Sequence, residues 1–211
     1  MKSRRSHLWD RRLFTSKQNH PTSYMYNESM NTIIGGRFVV PEVVSSHFLL
    51  NEGDTVADFG AGSGYFLRAL SSAVGTTGKV YACEIQKSLV EKVGDLARMQ
   101  GLNNVYPIWC DLEEPRGIKI SDNELDAAVL INTLFIIENK EAAVLEMGRT
   151  LRSGGKMLVI DWTESFGGLG PQAGHVIDKD SATALFEENG FLLEREFPSG
   201  DHHYGLAFRK L

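Results

Sequence analysis

The sequence predicts an α/β fold, an open and mostly parallel sheet carrying helices on both faces. Three observations predict it. From residue 39 onward, short β-branched apolar runs alternate with longer amphipathic stretches, the pattern of parallel strands joined by helical crossovers. Gly60-Ala61-Gly62-Ser63-Gly64 directly follows the first of those runs, where a strand gives way to a helix. The last two runs are separated only by Pro198-Ser199-Gly200-Asp201, too short for a crossover, so the last strand runs antiparallel to its predecessor. The expected sheet is therefore seven-stranded and mixed.

Each element follows from local chemistry. Pro41, a good first-turn residue, opens a helix through Val43, Val44, Phe48 and Leu49 that stops before Asn51-Glu52-Gly53. The first strand is Thr55 to Phe59, and the glycine loop opens a helix from Tyr65 to about Val74 with Phe66, Leu67, Leu70 and Val74 inward. Strand two is Lys79 to Glu84, a helix spans about Lys87 to Met99 and ends at Gly101, and strand three is Val105 to Cys110. Strand four is the apolar run Leu125 to Asn132. A helix from Lys140 to Leu151 finishes in the basic turn Arg152-Ser153-Gly154-Gly155 before strand five, Lys156 to Trp162. After a polar, glycine-rich stretch to His175, a helix over Ser181 to Glu188 is capped by Asp180 or Ser181. The closing strands are Phe191 to Phe197 and His202 to Arg209.

Composition narrows the class. The 211 residues are 42% hydrophobic and 23% charged, enough to bury one sizeable core. No apolar run reaches the roughly 18 to 20 residues that cross a bilayer. Cys83 and Cys110 both sit in apolar runs that read as interior strands, which speaks against a disulfide framework and for a reducing, cytoplasmic setting. No cluster has metal-ligand spacing.

Net charge is −5, yet residues 1–20 carry Lys2, Arg4, Arg5, Arg11, Arg12 and Lys17 against Asp10 alone. Such an opening suits an organelle transit segment, a nucleic-acid arm, or a start that docks through Leu8, Trp9, Leu13 and Phe14. Residues 1–38 thus read as a basic extension ahead of a domain over 39–211. The segment Tyr24 to Phe38, with Tyr26, Met30 and Arg37, is either a lid over the crevice or packing on the sheet.

Gly60, Gly62 and Gly64 lie where an open α/β sheet offers a ligand its crevice. Their backbone amides, with the positive end of the following helix, suit an anionic group. Dinucleotide enzymes use nearly the same loop. Two features favour a nucleoside lacking a pyrophosphate. Tyr65 stands where a third dinucleotide-type glycine belongs, and Glu84 lies at the tip of strand two, placed to accept from both hydroxyls of a ribose. Asp111, ending strand three, is placed to accept from an adenine amine, with Ile85 and Leu112 able to sandwich the ring.

The run Val56-Ala57-Asp58-Phe59-Gly60-Ala61-Gly62-Ser63-Gly64-Tyr65-Phe66 resembles the first signature motif of the seven-stranded, Rossmann-like class I methyltransferases. Glu84, the Cys110-Asp111 pair, the strand Leu125 to Asn132 and Leu151-Arg152-Ser153-Gly154-Gly155-Lys156 resemble its later motifs, in order. Within that class the body is most similar to small-molecule enzymes of the ubiquinone and menaquinone C-methylating kind. The resemblance implies a three-layer sandwich, S-adenosyl-L-methionine as cofactor, and a binding set of Asp58, Gly60, Ala61, Gly62, Gly64, Phe66, Glu84, Ile85, Asp111, Leu112 and Asn132.

Methyl transfer from a sulfonium mainly requires nucleophile, carbon and sulfur to be held in line. An acceptor that must lose a proton gains from a base with a pKa near neutrality. His175 and Asp161 are candidates near the expected strand edge, followed by His202 and His203, and each histidine reads equally well as a solvated loop residue. Asn132 lacks the Pro-Pro-aromatic continuation of enzymes that methylate exocyclic base amines. Besides a small-molecule acceptor, an RNA or protein acceptor held by the basic start, a regulator that binds the cofactor without turnover, and a nicotinamide dehydrogenase stay open.

Overall fold

The computed structural model describes residues 39–166 and 170–211. The proposed basic arm and lid, with Leu8, Trp9, Leu13, Phe14, Tyr26, Met30 and Arg37, lie outside them. The described chain forms a seven-stranded sheet: β1 Thr55–Phe59, β2 Lys79–Glu84, β3 Val105–Trp109, β4 Leu125–Ile131, β5 Leu151–Trp162, β6 Phe191–Pro198 and β7 His203–Lys210, in the spatial order β3-β2-β1-β4-β5-β7-β6. β1 to β5 pair in parallel, and β7 is inserted antiparallel between β5 and β6. The expected mixed sheet and its antiparallel last strand are both present.

Among the described residues five α-helices flank the sheet: α1 Pro41–Val44, α2 Leu67–Val74, α3 Lys87–Gln100, α4 Lys140–Thr150 and α5 Lys179–Glu188. Strand alternation sends successive side chains to opposite faces, so two cores form. One face gathers Val56, Val80, Ala82, Val129, Ile131 and Ile160 under Val44, Phe48, Leu67, Leu70, Val93 and Ala97. The other gathers Phe59, Leu130, Val159, Leu206 and Phe208 under Met147, Val144, Ala182 and Phe186. This is the three-layer arrangement that was expected.

Several boundaries differ from the sequence reading, each for a physical reason. The first helix is only four residues long and continues as a 3-10 turn, Ser45–His47. Paired serines compete for backbone hydrogen bonds and weaken an α-helix. The glycine-loop helix begins at Leu67 rather than Tyr65, with Phe66 at its N-cap, because the loop needs positive φ at Gly60, Gly62 and Gly64. α3 closes as expected on Gly101 in the left-handed region.

The turn assigned to Arg152–Gly155 belongs instead to β5. α4 stops at Thr150 and Leu151 already pairs with Leu125, after which Ala127 pairs with Lys156. The extra residues bulge out around Gly154 at φ +76°. α5 starts two residues early, and its cap is Asp178, whose carboxylate accepts from the Ser181 amide at 2.9 Å. Lys179 and Asp180 are polar, so apolar periodicity carried no sign of that first turn.

Candidate active site

The parallel strands end together at one edge of the sheet, and the chemistry-bearing residues collect there. Gly60 and Ala61 leave β1 and both donate their amides to the Cys83 carbonyl, at 2.9 Å each. The Gly62 amide donates to Glu84 Oε2 at 3.0 Å, and the Gly64 amide to the Ala61 carbonyl at 2.8 Å. The Gly60, Gly62 and Gly64 amides, expected to face an anionic ligand group, are thus engaged within the protein, as is that of Ala61. They fasten the loop to β2 and to itself.

Space explains the glycines. A Cβ on Gly60 would stand 2.4 Å from Thr133 Oγ1, and one on Gly64 would stand 2.8 Å from a Leu67 methyl. Over Gly62 the nearest atom is the Gly60 carbonyl at 3.9 Å, so that face of the loop is open. All three also sit at φ between +55° and +85°, where a side chain is strained. Thr133, unremarked in the sequence, is the wedge beneath the loop. It is buried, and its hydroxyl donates to the Ile131 carbonyl at 3.0 Å.

Two carboxylates flank the loop. Glu84 is buried and already accepts from Gly62 and from the Gln86 amide at 2.8 Å. Asp58 is 3% exposed, and its side-chain carboxylate accepts no hydrogen bond among the described residues. Burial, and then the neighbouring Glu84 charge, pushes its pKa up to about 7. A buried carboxylate without partners is costly, and here it stands beside a second acid.

The outer wall comes from β2 and β3. The Trp109 indole donates to the Ile85 carbonyl at 2.7 Å, clamping the two strand tips together. Ile85 remains about half exposed, and Leu112 packs partly on the core. Asp111 Oδ1 accepts from the Glu113 amide at 3.1 Å. Asn132 follows β4 in the left-handed region, φ 52°, with its amide donating to Ile160 at 2.8 Å. Asp58, Glu84, Asp111 and Asn132 therefore share the edge with the loop.

The candidate bases separate. Asp161 is 1% exposed and accepts from the Trp162 amide at 2.8 Å and the Phe135 amide at 3.3 Å. Burial raises its pKa to about 6 while those amides oppose the shift. It holds the 3-10 turn Leu134–Ile136 after β4, a structural duty for this carboxylate. His175 closes the exposed 3-10 turn Ala173–His175 between β5 and α5. His202 pairs with Glu164 at 2.7 Å, and His203 is buried against Trp162 with ring centroids 4.2 Å apart.

A family model described as a methyltransferase domain matches residues 50–190, more than half of the chain. The chain belongs to this methyltransferase-domain family. It is 30% identical over 133 residues to the ubiquinone/menaquinone biosynthesis C-methyltransferase UbiE of Chromobacterium violaceum, covering 61% of this chain and 53% of that protein. UbiE of Cupriavidus taiwanensis is 31% identical over 113 residues, covering 53% of this chain and 44% of its own length. The methyltransferase domain thus spans about half the length of these relatives.

Among solved structures, a SAM-dependent methyltransferase from Aquifex aeolicus superposes with a TM-score of 0.75 at 27% identity, covering 81% of this chain and 89% of its own. The [4+2]-cyclase SpnF superposes at 0.69 with 16% identity over 81% and 80%. That second likeness concerns the fold alone, since one architecture hosts unrelated reactions. Among the described residues of the methyltransferase domain no helix is long and apolar enough to cross a membrane.

Proposed function

We propose that the protein transfers a methyl group from S-adenosyl-L-methionine to a small-molecule acceptor. The observation that carries this reading is Asp58, a buried carboxylate with no hydrogen-bond donor among the described residues, set beside Glu84 at the mouth of the glycine loop. Two adjacent acids call for a cationic, donor-rich ligand. A nucleoside joined through sulfur to an amino acid supplies an ammonium for Asp58 and ribose hydroxyls for Glu84. A dinucleotide would bring its pyrophosphate against both acids, at a loop whose amides at 60, 61, 62 and 64 are already engaged.

The residues fit that cofactor further. Gly62 leaves open space on the loop, Asp111 keeps Oδ2 clear of the hydrogen bond that Oδ1 accepts, and Ile85 presents an exposed apolar side chain on the adjacent strand tip. When bound, the cofactor supplies an activated methyl on a cationic sulfur. The protein's own part is to orient it: Asp58 takes the amino-acid end and Glu84 the ribose, and Phe66 stands at the start of α2.

The small-molecule part of the reading is supported by the relatives named for quinone-pathway C-methylation, and a cytoplasmic setting by two free, buried thiols. Isothermal titration with S-adenosylhomocysteine and with NAD tests the cofactor. Binding of the first and not the second is expected, and the reverse pattern overturns the reading.

A further inference from the structure

Asp111 lies just past the end of β3 and opens a tight turn. Its Oδ1 accepts from the Glu113 amide at 3.1 Å, an Asx-turn that fixes the direction of the carboxylate. The turn closes where the Gly117 amide donates to the Glu114 carbonyl at 2.7 Å and the Asp111 amide to the Gly117 carbonyl at 3.4 Å. A Cβ on Gly117 would stand 2.1 Å from the Asp111 carbonyl oxygen, so the closure needs glycine there. The direction of Asp111 Oδ2 therefore depends on where this turn, and the Glu113 amide within it, are held.

The Glu113 side chain supplies that hold. Both of its oxygens accept backbone amides from the segment after β4: Oε1 from Glu138 at 3.2 Å and Oε2 from Asn139 at 2.6 Å. Asn139 is the N-cap of α4, its own side chain accepting from the Ala142 amide at 3.2 Å. A carboxylate at that end also meets the positive end of the helix dipole.

The far end of the turn reaches the same helix. The Ile118 amide donates to Glu146 Oε1 at 3.1 Å, and the Ile118 carbonyl accepts from Arg149 Nη2 at 2.9 Å. Glu146 and Arg149 both belong to α4, and Ile118 is buried. The turn after β3 thus rides on α4 at both its ends. Without the Glu113 carboxylate the far end stays pinned through Ile118, while the Glu113 amide, and with it Asp111 Oδ1, loses its tie to the helix.

The chemistry of the base decides what depends on that tie. A carboxylate at Asp111 accepts from the exocyclic amine of adenine, whereas hypoxanthine presents a carbonyl oxygen at that position and sets an acceptor against an acceptor. Discrimination of this kind is large only where the reading group is held in place. We infer that Glu113 is a positioning residue for base recognition: by tying the Asp111 turn to the start of α4, it gives the site a preference for adenine over hypoxanthine. The inference rests on the cofactor reading above and adds to it a residue that acts through Asp111.

The test is isothermal titration of the full chain with S-adenosylhomocysteine and with S-inosylhomocysteine. The wild type is expected to bind the first about tenfold or more tighter, the scale of one hydrogen bond to a charged group, and Asp111→Ala to lose that preference. Glu113→Ala is expected to bring the preference down to about threefold or less, since a carboxylate free to turn away forfeits most of that bond. Glu113→Gln, which keeps one accepting oxygen, should fall between. In the double variant the preference should equal that of Asp111→Ala, because the two residues act on one interaction. A Glu113→Ala protein that keeps the wild-type preference, even with both ligands weakened alike, overturns the inference. If that variant does not fold, a wild-type preference in Glu113→Gln overturns it. No preference in the wild type, or an unchanged one in Asp111→Ala, overturns the Asp111 assignment, and failure of S-adenosylhomocysteine to bind the wild type overturns the cofactor reading itself.

Discussion

Glu84 Oε2 accepts the Gly62 amide at 3.0 Å, so the tip of β2 is tied directly to the loop that leaves β1. The same carboxylate accepts from Gln86 through its other oxygen. Each oxygen keeps one lone-pair direction for a ribose hydroxyl. Glu84→Ala should therefore weaken S-adenosylhomocysteine binding about ten- to a hundredfold, from hydrogen bonds to a charged group worth about 1.5–3 kcal/mol. Glu84→Gln should fall in between. Calorimetry measures both, and an unchanged affinity for the alanine variant removes Glu84 from the cofactor site.

Asp58 makes the site sensitive to pH. Its folded pKa, raised to about 7, lies above the ordinary value of 3.8, so between about pH 4 and 7 the folded protein holds a proton that the unfolded chain has released. Stability from this group is then highest below pH 4 and falls as pH rises, with a slope approaching about 1.4 kcal/mol per pH unit for one proton. Asp58→Asn should flatten that slope, as read from the difference between the two proteins in denaturant melts at several pH values. A cationic ligand favours the ionised form, so S-adenosylhomocysteine affinity should rise from pH 5 to 7.5 in the wild type and lose that rise in Asp58→Asn.

What could be read from the chain was what repeats or punctuates. Apolar periodicity located every strand, and Gly101 marked a helix end, because both depend on neighbours along the sequence. Asp58, Glu84, Asp111 and Asn132 were legible as a group because each ends or follows a parallel strand, and parallel strands end on one edge. The fate of individual polar groups was not legible. Whether Asp161 faces a substrate or a backbone turn depends on Phe135 approaching from β4, and whether the Gly60 amide is free depends on the Cys83 carbonyl of β2. The Asp201 carbonyl as partner of His203 Nδ1 was missed for the same reason, since it requires the hairpin's exact turn.

The glycine loop separates a folding requirement from a binding one. Gly60→Ala meets both a positive φ and the buried Thr133 side chain, whose hydroxyl is committed to Ile131. Left-handed strain of about 1–2 kcal/mol and overpacking of about 1–3 kcal/mol add to a loss of roughly 2–5 kcal/mol. Gly62→Ala meets only the backbone strain, so its stability should fall by about 1–2 kcal/mol, while its methyl projects into the open side of the loop. Chemical denaturation should rank Gly60→Ala well below Gly62→Ala. Ligand titration of Gly62→Ala should show a large loss of S-adenosylhomocysteine affinity in a protein that remains folded.

Asp161 offers the sharpest contrast between two roles. A general base contributes to turnover and little to stability, whereas a carboxylate that caps a buried turn does the opposite. Both Asp161 oxygens accept backbone amides, from Trp162 and Phe135, and the turn they hold begins one residue after the Thr133 wedge under Gly60. Asp161→Ala leaves those buried amides without an acceptor, at about 1–3 kcal/mol each. The variant should unfold at clearly lower denaturant and bind S-adenosylhomocysteine more weakly, because Thr133 and Asn132 lose their support. Asp161→Asn, which retains one accepting oxygen, should recover part of both. A variant that melts like the wild type, binds the cofactor normally and yet fails to turn over would return Asp161 to the catalytic step.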